Sequence, residues 1–163
     1  MLQLQLRENQ MKAYEALAAR IEYGCEHGTI CLVGDFQSGK TTVVKRLLAE
    51  RFGTLETDYV NLNLCLLKEL EKHSATINYA GAKAKIHLLM QMAVEDLLQQ
   101  HFSTHDLLVL DAIEVIYPYA LNLVAITNRF ARDGKYCIIC VPENTQQEYR
   151  LAFSWGLADV VHL

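Results

Sequence analysis

Proline is scarce, with two residues in 163, and no Pro/Gly-rich tract, low-complexity run or internal repeat interrupts the chain. Nothing therefore reads as an inter-domain linker, and the length suits one domain spanning 1–163. A disulfide framework is missing as well. The five cysteines (Cys25, Cys31, Cys65, Cys137 and Cys140) are odd in number. All but Cys25 lie in apolar stretches, the pattern of reduced thiols in a cytosolic protein. Cys137 and Cys140 form a CxxC, but inside the apolar run 136–141. On a strand, residues three apart point to opposite faces, so the pair is expected to be structural and not a zinc or redox motif.

Basic charge is not in excess: 15 Lys and Arg stand against 19 Asp and Glu, for a net charge of -4. That argues against a free-standing nucleic-acid binder, which needs cations to meet phosphates. Any DNA contact is expected to be local or indirect. Long hydrophobic runs are also lacking. Residues 1–7 have no apolar core suited to a signal peptide, and no uncharged run approaches the ~18 residues that cross a bilayer. The expectation is a soluble, cytoplasmic protein without membrane contact.

What the chain does have is 52% hydrophobic residues in alternating patterns. Met11, Tyr14, Leu17, Ala18 and Ile21 recur at helical period, predicting a helix over 8–23 within an N-terminal segment 1–28. Gly24 and Gly28 are read as its end. Apolar strands are expected at 29–33, 58–64, 106–111, 136–141 and 159–163. Helices are expected at 39–51, 66–73, 80–101, 119–132 and 145–153. Strand–helix alternation with nearly all-apolar strands predicts an α/β fold, a mostly parallel five-stranded sheet between helical layers.

The first strand runs into Gly34-Asp35-Phe36-Gln37-Ser38-Gly39-Lys40-Thr41, which satisfies G-x-x-x-x-G-K-[ST] at every fixed position. A strand before and a helix after meet the context that motif requires. Backbone N–H groups of such a loop cradle phosphate, and the helix N-terminus adds partial positive charge. Lys40 is expected to reach the β- and γ-phosphates and Thr41 to place its hydroxyl on Mg²⁺, with Thr42 near the α-phosphate. The cofactors expected are thus ATP and Mg²⁺; no Asn-Lys-x-Asp guanine-reading motif occurs.

Mg²⁺ also needs a carboxylate at a strand's C-terminal end, where ligands gather in open α/β sheets. Asp111, closing Leu107-Leu108-Val109-Leu110, supplies one; the bland alternative is a turn cap. A whole strand, 58–64, precedes this one in sequence, the order of P-loop ATPases with an additional strand, the AAA+ and STAND-like group. Those proteins place a glutamate directly after the aspartate, but here Ala112 follows and Glu114 is the nearest acid. Glu114 is the candidate for polarising the attacking water, or else a solvated loop residue. Past Val141, Asn144 is the candidate γ-phosphate sensor, with Thr145 second; either could simply cap the next helix. Arg150 is the candidate arginine finger toward a neighbouring subunit, with Arg129 and Arg132 as alternatives, and a solvated surface role open for all three. Lys83, Lys85 and His87 read as a charged face. Trp155 and Tyr149 read as core unless a partner uses them. His73, His101 and His105 receive no role.

Gly34-Asp35-Phe36-Gln37-Ser38-Gly39-Lys40-Thr41-Thr42, Tyr59-Val60-Asn61-Leu62-Asn63-Leu64, Leu107 to Glu114 and Glu148-Tyr149-Arg150 together resemble the BrxF family, small P-loop proteins of BREX bacteriophage-defence systems. The resemblance spans nearly the whole chain. It implies an accessory ATPase that works beside a methyltransferase, a larger ATPase and a phosphatase-like protein. The wider resemblance is to AAA+ ATPases, with the expected departure that no C-terminal helical lid follows the fifth strand. Self-association around nucleotide is the corresponding expectation. Two other functions stay open: a non-catalytic nucleotide-gated interaction module, motivated by Ala112, and a small-molecule kinase, disfavoured because the strand after the P-loop helix ends in Asn61-Leu62-Asn63 without an acid.

Overall fold

The computed structural model describes residues 5–52, 54–76, 81–143 and 157–163. The chain opens with α1 (Glu8–Tyr23), whose buried face carries Ala13, Tyr14, Leu17 and Ala18 at helical spacing. Gly24, at φ +85°, ends it in a conformation that side chains resist. Gly28 has another purpose than helix termination: a Cβ there would lie 1.9 Å from the Ala131 carbonyl oxygen, so only glycine lets the two segments touch.

β1 (Thr29–Gly34) is buried at all six positions. It leads into α2 (Lys40–Glu50), then a one-turn helix α3 (Leu55–Asp58) and β2 (Tyr59–Asn61). The strand expected over 58–64 is thus cut to three residues. The cause is local: the Asn61 side chain accepts the Leu64 N–H at 3.1 Å and caps α4 (Leu62–Glu71). Alternation in 58–64 is equally compatible with a strand that turns into a helix midway.

A 21-residue helix, α5 (Ala82–Phe102), precedes β3 (Leu107–Asp111). The single helix expected over 119–132 is replaced by a 3₁₀ segment, Glu114–Tyr119, and the short α6 (Leu123–Asn128). Between them Ala120 adopts φ +51°, and Asn122 caps α6 by accepting the Ala125 N–H. β4 (Tyr136–Pro142) and β5 (Asp159–His162) complete the sheet. The helix expected over 145–153, and with it Asn144, Thr145, Tyr149, Arg150 and Trp155, lies outside the described residues.

The strands lie in the order β2-β3-β4-β1-β5, and every neighbouring pair is parallel. The strand standing between β1 and β3 in space is therefore β4; β2, which separates them in sequence, sits at the edge. Because side chains alternate along a strand, each one feeds two cores. Ile30, Leu32, Val109, Ile138 and Cys140 pack with α1 and α2, while Cys31, Val33, Leu108, Leu110, Cys137 and Ile139 pack with α4, α5 and α6. Cys137 and Cys140 thus face opposite sides of the sheet, as a strand-borne CxxC must. Among the described residues no helix is long and apolar enough to cross a membrane.

Candidate functional site

Five parallel strands bring their C-terminal ends to one side of the sheet, and the Gly-rich loop lies there between β1 and α2. Two of its residues have left-handed backbone, Gln37 at φ +61° and Gly39 at φ +99°. Gly39 is constrained twice over, since a Cβ there would fall 2.2 Å from Nε2 of Gln10. That buried glutamine, from α1, donates through Nε2 to the Ser38 carbonyl at 3.1 Å, while its Oε1 accepts the Arg7 N–H at 3.0 Å. The N-terminal helix therefore braces the loop from behind. Gln10 was not singled out from sequence, where a lone glutamine on a helix carries no signal.

Lys40 is buried at the start of α2. Its ammonium donates to the carbonyl oxygens of Gly34 and Asp35, each at 2.7 Å, and to Ser38 Oγ at 3.4 Å. Burial lowers its pKa below the ordinary lysine value, with Cys140, Asp111, Asp35 and Glu114 acting in the opposite direction.

Across the cleft, Asp111 ends β3 and is also buried. Its Oδ2 accepts from the Thr41 hydroxyl and from the Tyr59 hydroxyl, each at 2.6 Å, and its Oδ1 accepts the Ala112 N–H at 2.8 Å. The structure thus joins Thr41 and Asp111, the two residues expected at the metal, and adds Tyr59. The Tyr59 phenol is pushed well up, first by burial and then by its bond to the Asp111 carboxylate. The ammonium of Lys45 sits 4.9 Å above its ring. Tyr59 reads from sequence as a strand aromatic; only the parallel register, which pairs Tyr59 with Val109 and Asn61 with Asp111, places its hydroxyl at the carboxylate.

Ala112 has φ +52°, and this turn directs the 3₁₀ segment so that Glu114 lines the same cleft. The Glu114 carboxylate is not loose. Asn63 Nδ2 donates to its Oε2 at 2.8 Å, while Asn63 Oδ1 accepts the Val115 N–H at 2.8 Å and the Asn63 N–H donates to the Ala112 carbonyl at 2.8 Å. Asn63 holds both sides of the turn that carries Glu114. Its role is invisible when 58–64 is taken as continuous strand.

The enclosed space is about 350 Å³, lined by Phe36, Gln37, Gly39 to Thr42, Asp111, Glu114, Cys140 and Pro142. Its walls combine loop backbone, one cation, two carboxylates and two threonine hydroxyls, a set suited to an anion carrying a hard cation. Burial pushes the Cys140 thiol well up, so it lines the cleft as a neutral group. Arg129 pairs with Glu95 on α5 and Arg132 donates to the Asn128 carbonyl, so neither reaches this cleft. His87 is tied through Nδ1 to the Tyr119 carbonyl at 2.7 Å.

No protein-family model matches the chain, and no curated protein matches it in sequence. A solved structure is similar, the crystal structure of a DNA replication initiation factor, with a TM-score of 0.59 and 15% identity. The match covers 99% of this chain and 48% of that one, so the chain spans about half the length of its structural neighbour. At that identity the likeness is one of fold. The architecture is an α/β domain with a five-stranded all-parallel sheet flanked by helices, consistent with a P-loop NTPase-like fold.

Proposed function

We propose that the chain binds ATP with Mg²⁺ in the cleft between the Gly34–Thr42 loop and Asp111, and hydrolyses it slowly or with a partner's help. The observation that carries this reading is the 2.6 Å bond between the Thr41 hydroxyl and Asp111. It brings a loop hydroxyl and a strand-end carboxylate to one point beside the phosphate cradle, where a phosphate-bound Mg²⁺ needs oxygen ligands. Lys40, now folded onto the loop carbonyls, has the charge and reach to turn to phosphate oxygens. Glu114 is the group placed to take a proton from water.

Calorimetry with ATP in magnesium buffer tests the binding. Saturable heat with the wild type, reduced about ten- to hundredfold in affinity for Lys40→Ala, is expected from the loss of charge-assisted hydrogen bonds worth roughly 1.5–3 kcal/mol. Absence of any binding to the folded chain would overturn the reading.

One observation favours a second reading, a nucleotide-gated interaction module without turnover. Glu114 is held by the Asn63 amide, and Ala112 stands where an AAA+ protein carries its glutamate. Turnover that disappears in Glu114→Gln while ATP affinity persists decides for hydrolysis.

At the finer level, the resemblance to the BrxF family supports a place for this ATPase as an accessory subunit of a phage-defence system, self-associating around nucleotide. Light scattering with and without ATP checks the self-association. A pulldown from the native host in both conditions checks the partners, expected to include a methyltransferase and a larger ATPase, with DNA contacted at most through them.

A further inference from the structure

Three chemistry-bearing side chains meet at the end of the sheet opposite the cleft. Asp58 closes α3 immediately before β2, His101 lies in the last turn of α5, and His105 stands two residues before β3. A carboxylate oxygen of Asp58 and one ring nitrogen from each histidine all lie within 4.8 Å of one another. The length of β3, roughly 16 Å at the rise of a parallel strand, separates this group from Asp111.

The arrangement is built and not incidental. The His105 N–H bonds to the His101 carbonyl at 3.0 Å, which continues the helical turn past the end of α5 and stacks the two rings at 4.7 Å. Histidines four apart on one helical face converge their ring nitrogens, a spacing used for zinc. Asp58 and His105 are each also held by an outer partner, as metal-ligating groups are. Thr104 Oγ1 bonds His105 Nδ1 at 2.8 Å, which leaves Nε2 available. The Thr54 N–H donates to Asp58 Oδ2 at 2.7 Å, which leaves Oδ1 facing His101. His101 Nε2 lies 2.7 Å from the Leu107 carbonyl oxygen and 3.4 Å from Asp58 Oδ1.

Asp58 is 3% exposed. Besides Thr54 it receives the Thr57 hydroxyl at 3.3 Å, and among the described residues His101 is the only basic side chain paired with it. A carboxylate so far from water favours a nearby cation, and among the described residues neither Lys nor Arg is paired with it.

We propose that Asp58, His101 and His105 form a transition-metal site that takes Zn²⁺. Ligand atoms around tetrahedral zinc stand about 3.4 Å apart at the usual bond lengths. The half-buried His105 supplies the movement that closes the present 4.8 Å spread. On His101 the cation takes the place of the proton that Nε2 now gives to the Leu107 carbonyl. Three protein ligands leave a fourth position for water. Bound metal would pin the three-residue edge strand β2 to the base of α5.

The test uses the full chain, stripped with chelator and kept free of Mg²⁺, titrated with Zn²⁺ alone and separately with Co²⁺. Expected are one Zn²⁺ per chain, a visible Co²⁺ absorption of the intense tetrahedral kind, and a melting temperature raised by Zn²⁺. His105→Ala, at a half-buried position, should weaken binding at least about tenfold and cancel the thermal shift. Asp58→Asn should do the same, whereas Asp111→Asn should leave Zn²⁺ uptake intact. No saturable uptake, equal uptake by His105→Ala, or uptake lost only in Asp111→Asn would each overturn the site. None of these outcomes bears on whether ATP binds, so the two readings fail separately.

Discussion

The hydroxyl of Thr41 donates to Asp111 at 2.6 Å, which ties the first turn of α2 to the end of β3 across the intervening strand β4. Asp111→Asn keeps the shape and removes the charge. The expected result is a loss of Mg²⁺-dependent ATP affinity of roughly ten- to hundredfold, with little change in the Mg²⁺-independent part. Calorimetry at several Mg²⁺ concentrations measures both.

Lys40 carries a signature in pH. Burial depresses its pKa in the folded chain below the ordinary 10.5. In the window between that lowered value and 10.5, the unfolded chain binds more protons than the folded one, so stability contributed by this group rises with pH. Below the window its buried charge is a constant cost. Lys40→Met is therefore expected to raise the melting temperature of the nucleotide-free chain at neutral pH, by a margin over wild type that shrinks as the pH rises through that window, while ATP no longer stabilises it. A Lys40→Met chain that melts lower than wild type at pH 7 would contradict this.

Gly39 combines a left-handed backbone with the nearby Gln10 amide. Gly39→Ala should destabilise by about 1–3 kcal/mol from the backbone alone, with a further cost from displacing Gln10. In the double variant Gln10→Ala/Gly39→Ala the steric part is relieved and the conformational part stays. Urea denaturation of the two single variants and the double gives a coupling that separates these terms.

Asn63 grips the Glu114 carboxylate and the Val115 N–H. Asn63→Ala should cost about 1–3 kcal/mol in stability while raising ATP turnover severalfold at unchanged ATP affinity, because the Glu114 carboxylate is released from the Asn63 amide and freed to meet water. Steady-state turnover beside calorimetry reads the two effects. Slower turnover would mean that Asn63 instead positions Glu114 for the reaction.

The Gly-rich loop between β1 and α2, the five strands and the carboxylate that ends β3 were legible in the sequence because each is a local pattern. The loop is one contiguous run, and its strands are apolar on both faces, as a covered parallel sheet requires. Residues whose meaning depends on register were not legible. Asn61 ends β2 by capping α4, and that local contest moved Asn63 from an expected strand to a helix start, where it meets Glu114. Tyr59 reaches Asp111 only through the pairing of β2 with β3. Gln10 acts on a loop 28 residues away. His101 and His105 carried an i, i+4 spacing that could have been noticed, but Asp58 lies 43 positions before His101 (101 minus 58), and nothing in the chain announces their meeting.

The brevity of β2 limits how copies of this chain can associate. An open strand flank invites another backbone to continue the ladder, yet here the chain bends into α4 after three residues. Too few unpaired amides remain along that border to template an added strand. Growth of the sheet from molecule to molecule is closed off on the β2 side, so neighbours meeting there must do so through helices and loops, leaving side chains rather than backbone to choose the partner.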